Sequence, residues 1–124
     1  MGRIYVCIAA AIALMLGTLS TTQLLWAQQR ACLHGPGETA ADAARRQGAI
    51  RLARAINTAQ SRTGAKYQPL AELPGLPGVP TGFGVHLAAT ADGYLLSIKD
   101  ATDPCRYTLF SDHEGLIYIG APLQ

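Results

Sequence analysis

A chain of 124 residues, 49% of them hydrophobic and 15% charged, has room for one domain. Its formal net charge is +2, and it falls to +1 once residues 1–27 are set aside, because Arg3 is the one charged side chain among them. So small an excess speaks against nucleic acid as a partner.

Residues 1–27 read as a signal peptide or a membrane anchor. Arg3 and the amino terminus make a small positive start, Ile4 to Leu19 is apolar, Ser20 to Gln23 is more polar, and Ala27 offers a small residue at which cleavage can occur. Ile4 to Ala27 also exceeds the roughly 20 apolar residues a spanning helix needs, so an uncleaved anchor is the competing expectation. Either way the remainder is expected outside the cytoplasm, periplasmic or extracellular, or held at the inner membrane by this segment. The membrane is a partner only if residues 4–27 are retained.

Residues 28–38 form a connector, because His34-Gly35-Pro36-Gly37 cannot continue a helix. Cys7 lies in the apolar segment and leaves with it on cleavage. Cys32 and Cys105 remain, an even pair in an exported domain, and are expected to form a disulfide. Closing a loop of roughly 70 residues stabilises by about 3–4 kcal/mol on the chain-entropy model. Gln29-Arg30-Ala31 lacks the apolar and small run that would mark Cys32 for lipid attachment.

Residues 39–124 read as an α+β domain. Thr39-Ala40-Ala41-Asp42 has the spacing of a capping box, and Ala40 to Arg62 are nearly all helix formers. Ala49, Leu52, Ala53, Ile56, Ala59 and Gln60 recur on one face, with Gly64 as the stop. So alanine-rich a face requires whatever packs on it to approach closely. Tyr67 to Gly84 is a proline-rich loop pinned by Leu70, Leu73 and Leu76. Phe83 to Ala88 alternates as a strand, and Ala91-Asp92-Gly93 signals a hairpin. Tyr94 to Ile98, Cys105 to Phe110 and Leu116 to Ile119 follow as strands joined by short turns, so they are antiparallel neighbours. The expected architecture is one α-helix packed on a four-stranded antiparallel meander, with the disulfide joining the helix entry to the third strand.

Arg54-Ala55-Ile56-Asn57-Thr58-Ala59-Gln60 resembles a stretch of type IV pilin-like and pseudopilin-like exported proteins. Gly93-Tyr94, the segment Tyr67 to Leu73 and the run Tyr107 to Ile117 are similar to the later motifs of that family. The resemblance covers about residues 40–119 and implies a pilin-like headgroup behind an N-terminal signal or anchor helix. A prepilin-type processing site is missing between Met1 and Leu25, and Gly35-Pro36-Gly37 interrupts the path from apolar segment to helix. The implied role is a non-catalytic accessory or interaction component of the cell envelope. Protein partners there, or self-association, are expected. A small periplasmic ligand-binding or regulatory domain and a membrane-anchored minor pseudopilin of a secretion system are the alternatives.

No catalytic constellation is expected. His34, His86 and His113 with Ser97 or Ser111 form no known hydrolase motif, and no cofactor is implied. Asp100, Asp103, Asp112 and Glu114 are the calcium candidates, as the resemblance to pseudopilins implies, but turns use the same residue types. Tyr94, Tyr107 and Tyr118 could form a stacking platform or fill cross-strand pairs. Arg45, Arg46, Arg51, Arg54, Arg62 and Lys66 crowd one stretch, while Glu72, Asp92, Asp100, Asp103, Asp112 and Glu114 dominate beyond Tyr67. That asymmetry reads as a solvated basic helix face, or as a basic surface meeting an acidic one between subunits.

Overall fold

A computed structural model describes residues 32–64 and 66–120. The signal-or-anchor segment 1–27 and the start of the connector lie outside the described residues. No helix among the described residues is long and apolar enough to cross a membrane.

Helix α1 (Ala40–Ser61) starts where its capping residues place it. Thr39 Oγ1 accepts from the Asp42 backbone N–H at 3.1 Å and donates to Asp42 Oδ2 at 2.7 Å, which ties an otherwise unpaired first-turn donor. Arg62 caps the other end, and Gly64 turns the chain away at φ 78°, a left-handed conformation that glycine adopts without a Cβ clash. Ala49, Leu52, Ala53, Ile56 and Gln60 are buried, the face that the three- and four-residue spacing marked out. Gln60 is amphipathic in its use. Its stem lies in the core, while its amide pairs with both backbone groups of Gln68 at 2.6 and 2.9 Å, fastening the loop after the helix.

Strands β1 (Phe83–Ala89), β2 (Tyr94–Asp100), β3 (Thr108–Asp112) and β4 (Ile117–Gly120) form one antiparallel sheet in chain order. Pairs such as Leu87 with Leu96, Ile98 with Leu109, and Leu109 with Ile119 set the register. Because paired residues share a face, Phe83, Leu96, Ile98 and Leu109 turn toward α1, and all are under 10% exposed. Helix α1 lies on β2 and β3. Ile119 of β4, on the same side of the sheet, is therefore left 66% exposed. The proline-rich loop closes the core with Leu73 buried and Leu70 and Leu76 partly so, and carries a short 3-10 turn at Leu70–Glu72.

Ala53, on the alanine-rich face of α1, is fully buried. Ala53→Leu adds three carbons where no space is free, so it is expected to lower the unfolding free energy by about 1–3 kcal/mol, measurable by urea denaturation.

Two expectations are corrected. Strand β2 continues through Asp100, whose backbone N–H bonds Tyr107 O at 2.9 Å, so Asp100 is a buried strand residue rather than a loop acid. Strand β3 begins at Thr108, not Cys105. The Asp103 carboxylate takes the N–H groups of Cys105 and Tyr107 at 3.1 and 3.0 Å, and Arg106 sits at φ 54°, so this stretch is a turn. The Cys32–Cys105 disulfide, with Cα atoms 5.2 Å apart, accordingly joins the connector to the β2–β3 loop.

Candidate functional site

The polar residues concentrate where the connector, the first turns of α1 and the end of β2 meet. His34 follows Cys32 by two positions, so the disulfide delivers it to the β2–β3 loop. There its side chain is only 2% exposed. Its ring packs on Tyr107 at 4.6 Å and Phe83 at 5.9 Å between centroids. Nδ1 lies 2.7 Å from Glu38 Oε1, and Nε2 lies 2.9 Å from Asp100 Oδ2. Both ring nitrogens thus face carboxylates.

Each carboxylate has an arginine as well. Arg45 Nη2 donates to Asp100 Oδ2 at 2.8 Å and Arg45 Nη1 to Asp42 Oδ1 at 2.9 Å, while its guanidinium stands 5.4 Å from the Phe83 ring centroid. Arg46 grips Glu38 side-on, with Nε and Nη2 each 2.8 Å from a carboxylate oxygen. Asp100 Oδ1 also accepts from Thr102 N–H and Oγ1 at 2.9 and 2.6 Å. The site is a chain of hydrogen bonds and ion pairs, Arg46–Glu38–His34–Asp100–Arg45–Asp42, that binds three chain segments together.

The Arg46 hydrogen bonds, then that of His34, hold the Glu38 carboxyl at about 2 against an ordinary 4.5. Burial opposes ionisation of Asp100, but the Thr102 and His34 hydrogen bonds and the Arg45 charge outweigh it and lower its carboxyl too. A depressed carboxyl contributes stability that is complete above its unfolded value and lost as pH falls through its folded one. Stability is therefore expected to decline from about pH 4.5 toward the Glu38 value of about 2. Urea midpoints across that range should show the slope, and Glu38→Gln should flatten it.

The calcium candidates do not converge. Asp100 and Asp103 stand at one end of the sheet, whereas Leu95 at the other end of β2 pairs with Asp112. Oxygens of Asp100 are taken by four donors, and those of Asp103 by Leu33, Cys105 and Tyr107 N–H groups. Asp112 accepts from Glu114 N–H at 3.0 Å, a turn bond. Among the described residues no cluster of three or more His, Cys, Asp or Glu is arranged to hold a metal.

The hydrolase candidates are likewise scattered. His86 pairs with Ser97 across the outer face of β1 and β2, open to water. Ser111 is buried, held by Asn57 Nδ2 at 2.8 Å and donating to Leu116 O at 2.6 Å. The three tyrosines form no platform: Tyr94 and Tyr107 are buried, and Tyr118 is 51% exposed on the opposite face. The basic stretch divides too, since Arg45 and Arg46 bind carboxylates while Arg51, Arg54, Arg62 and Lys66 are exposed.

Sequence reasoning missed Glu38, offered Tyr107 only as a stacking or cross-strand residue, and placed His34 in the connector without burial. His34 and Glu38 left no local signal, because a spacing of four faces two side chains together only on a helix and Gly35-Pro36-Gly37 rules one out. Tyr107 left none. It lines a cavity of about 440 Å³ beside the disulfide, together with Arg46, Glu38 and Ile119. Its hydroxyl is buried beside the Arg46 guanidinium, without a well-aligned hydrogen bond to any described residue. Burial pushes this phenol upward, and the neighbouring Arg46 charge pulls it partly back.

Compared with protein-family models, curated proteins and solved structures, the chain matches none of them.

Proposed function

We propose that this chain is an exported, non-catalytic, pilin-like protein that acts by surface contact, as an accessory or interaction component of the cell envelope. The outer face of the sheet carries this reading. Leu95, Phe110 and Tyr118 share that face and are 68%, 47% and 51% exposed. Apolar side chains gathered on one face mark contact surfaces. The disulfide fits an oxidising compartment, and the charged groups around His34 and Asp100 engage one another instead of a substrate.

The reading is tested by cross-linking in the native envelope, comparing the parent chain with Phe110→Lys and Leu95→Lys. Loss of a specific adduct, whether to a partner or to a second copy, supports it. Unchanged adducts from a folded variant refute it. N-terminal sequencing of the mature protein separates the exported form from the anchored minor pseudopilin.

A small periplasmic ligand-binding domain is the second reading, favoured by the cavity beside the disulfide. Its volume of about 440 Å³ lies within the range of small-molecule sites.

A further inference from the structure

Strand β1 is an edge of the sheet, and its outer side is unused. At the two ends of the β1–β2 ladder, Gly82 O accepts from Ala101 N–H at 2.9 Å and Thr90 N–H donates to Gly93 O at 2.8 Å. Hydrogen-bonded positions alternate along an antiparallel pair. Gly84, His86 and Ala88, set opposite Lys99, Ser97 and Leu95, are therefore the residues whose backbone groups bond β2. Phe83, Val85, Leu87 and Ala89 turn theirs to the open side. The Phe83 N–H is taken by Pro80 O at 3.0 Å, whereas the backbone groups of Val85, Leu87 and Ala89 meet no partner among the described residues.

Folded chains block such edges with a charge, a proline, a bulge or a very short strand. Strand β1 uses none of these. It runs for seven residues, Phe83–Ala89, without an acidic, basic or proline residue and in unbroken register with β2, while β4 at the other edge has only four. The row Val85, Leu87 and Ala89 on its inner face is only partly buried, because α1 lies on β2 and β3.

We propose that two copies of this chain pair antiparallel along β1, about a twofold axis at Leu87, so that one sheet runs through the dimer. This register sets Leu87 opposite its own counterpart and Val85 opposite Ala89, and each pair exchanges N–H and C=O groups that are otherwise open. Centring on His86 would set Ala89 opposite Phe83, whose N–H is already committed. Centring on Ala88 would set Val85 opposite Ala91, in the hairpin turn. The Leu87 register also brings one half-covered apolar row against the other. A second copy supplies an uncharged strand of equal length with that matching row, as a self-complementary twofold contact requires.

The full oxidised chain is to be followed by light scattering and by amide exchange across a dilution series. A dimer is expected at high concentration, with the Val85, Leu87 and Ala89 amides protected in it and exchanging freely on dilution. The His86 and Ala88 amides should stay protected throughout. Val85→Pro deletes an outward N–H that β2 does not use, and Leu87→Lys sets a charge on the seam. Each is expected to weaken association by about tenfold or more. Phe110→Lys, on the outer face of the sheet, should leave it unchanged, which separates this contact from the surface proposed for envelope partners. A chain that is monomeric at every concentration overturns the proposal, as does a dimer whose Val85, Leu87 and Ala89 amides exchange freely. Protection of those amides in a monomer overturns it too, since another segment of the same chain then covers the edge. The amide pattern of the parent chain decides the matter even where a variant fails to fold.

Discussion

Replacing Cys32 and Cys105 together by serine is expected to lower the unfolding free energy by about 3–4 kcal/mol. The disulfide closes a loop across a sequence separation of 73 residues, so its loss releases a large part of the unfolded chain's constrained entropy. For a domain of this size each kcal/mol shifts Tm by about 4–8 °C, and the variant should melt more than 10 °C below the oxidised parent. A second effect adds to the first. The disulfide holds the connector against the β2–β3 loop, and with it His34 against Asp100. Amide exchange should show Leu33 and Tyr107, both bonded to Asp103, among the residues losing most protection. A reductant added to the parent should reproduce the change. Equal melting temperatures for the oxidised and reduced chains would contradict the account.

Asp100→Ala is the second large loss, expected at about 3–5 kcal/mol. Asp100 is fully buried and accepts from His34, Arg45 and both donors of Thr102. Alanine leaves His34, whose side chain is 2% exposed, with a buried nitrogen facing no acceptor. Arg45 keeps Asp42, Thr81 O and Thr102, so the arginine is the better protected partner. Asp100→Asn retains the shape but brings a donor into a ring of donors, and should fall between parent and alanine. Because the Asp100 carboxyl is lowered in the folded state, the substitution also removes its share of the acid-induced loss of stability. Chemical denaturation at neutral pH and near pH 3 measures both effects. A change under about 1 kcal/mol at neutral pH would show that the network contributes little.

Much of the secondary structure was legible in local residues. Thr39 and Asp42 announced the helix start because capping depends on groups three positions apart. The face Ala49, Leu52, Ala53, Ile56 and Gln60 followed from helical spacing alone. Asp92-Gly93 marked the β1–β2 hairpin, since a tight turn needs those residue types. The third strand was misjudged at its start, because Tyr107 looks like a strand residue until the Asp103 carboxylate captures its N–H. Asp100 and Asp103 looked like loop acids for an equally local reason. Their burial depends on Arg45, His34 and Leu33, which lie 55 to 70 positions away.

By itself the sequence determined the order and type of the elements and the pairing of the two cysteines that follow residue 27. Short-range steric preferences and the periodicity of apolar side chains control the first, and elimination the second. Only the tertiary structure decided that His34, Glu38, Arg45, Arg46 and Asp100 form one network around two buried side chains, His34 and Asp100, and that Tyr107 lines a pocket beside Arg46. Those facts arise from the path of the connector over the sheet. Charged groups far apart in the chain acquire their roles only when burial removes water and leaves each the partner for another.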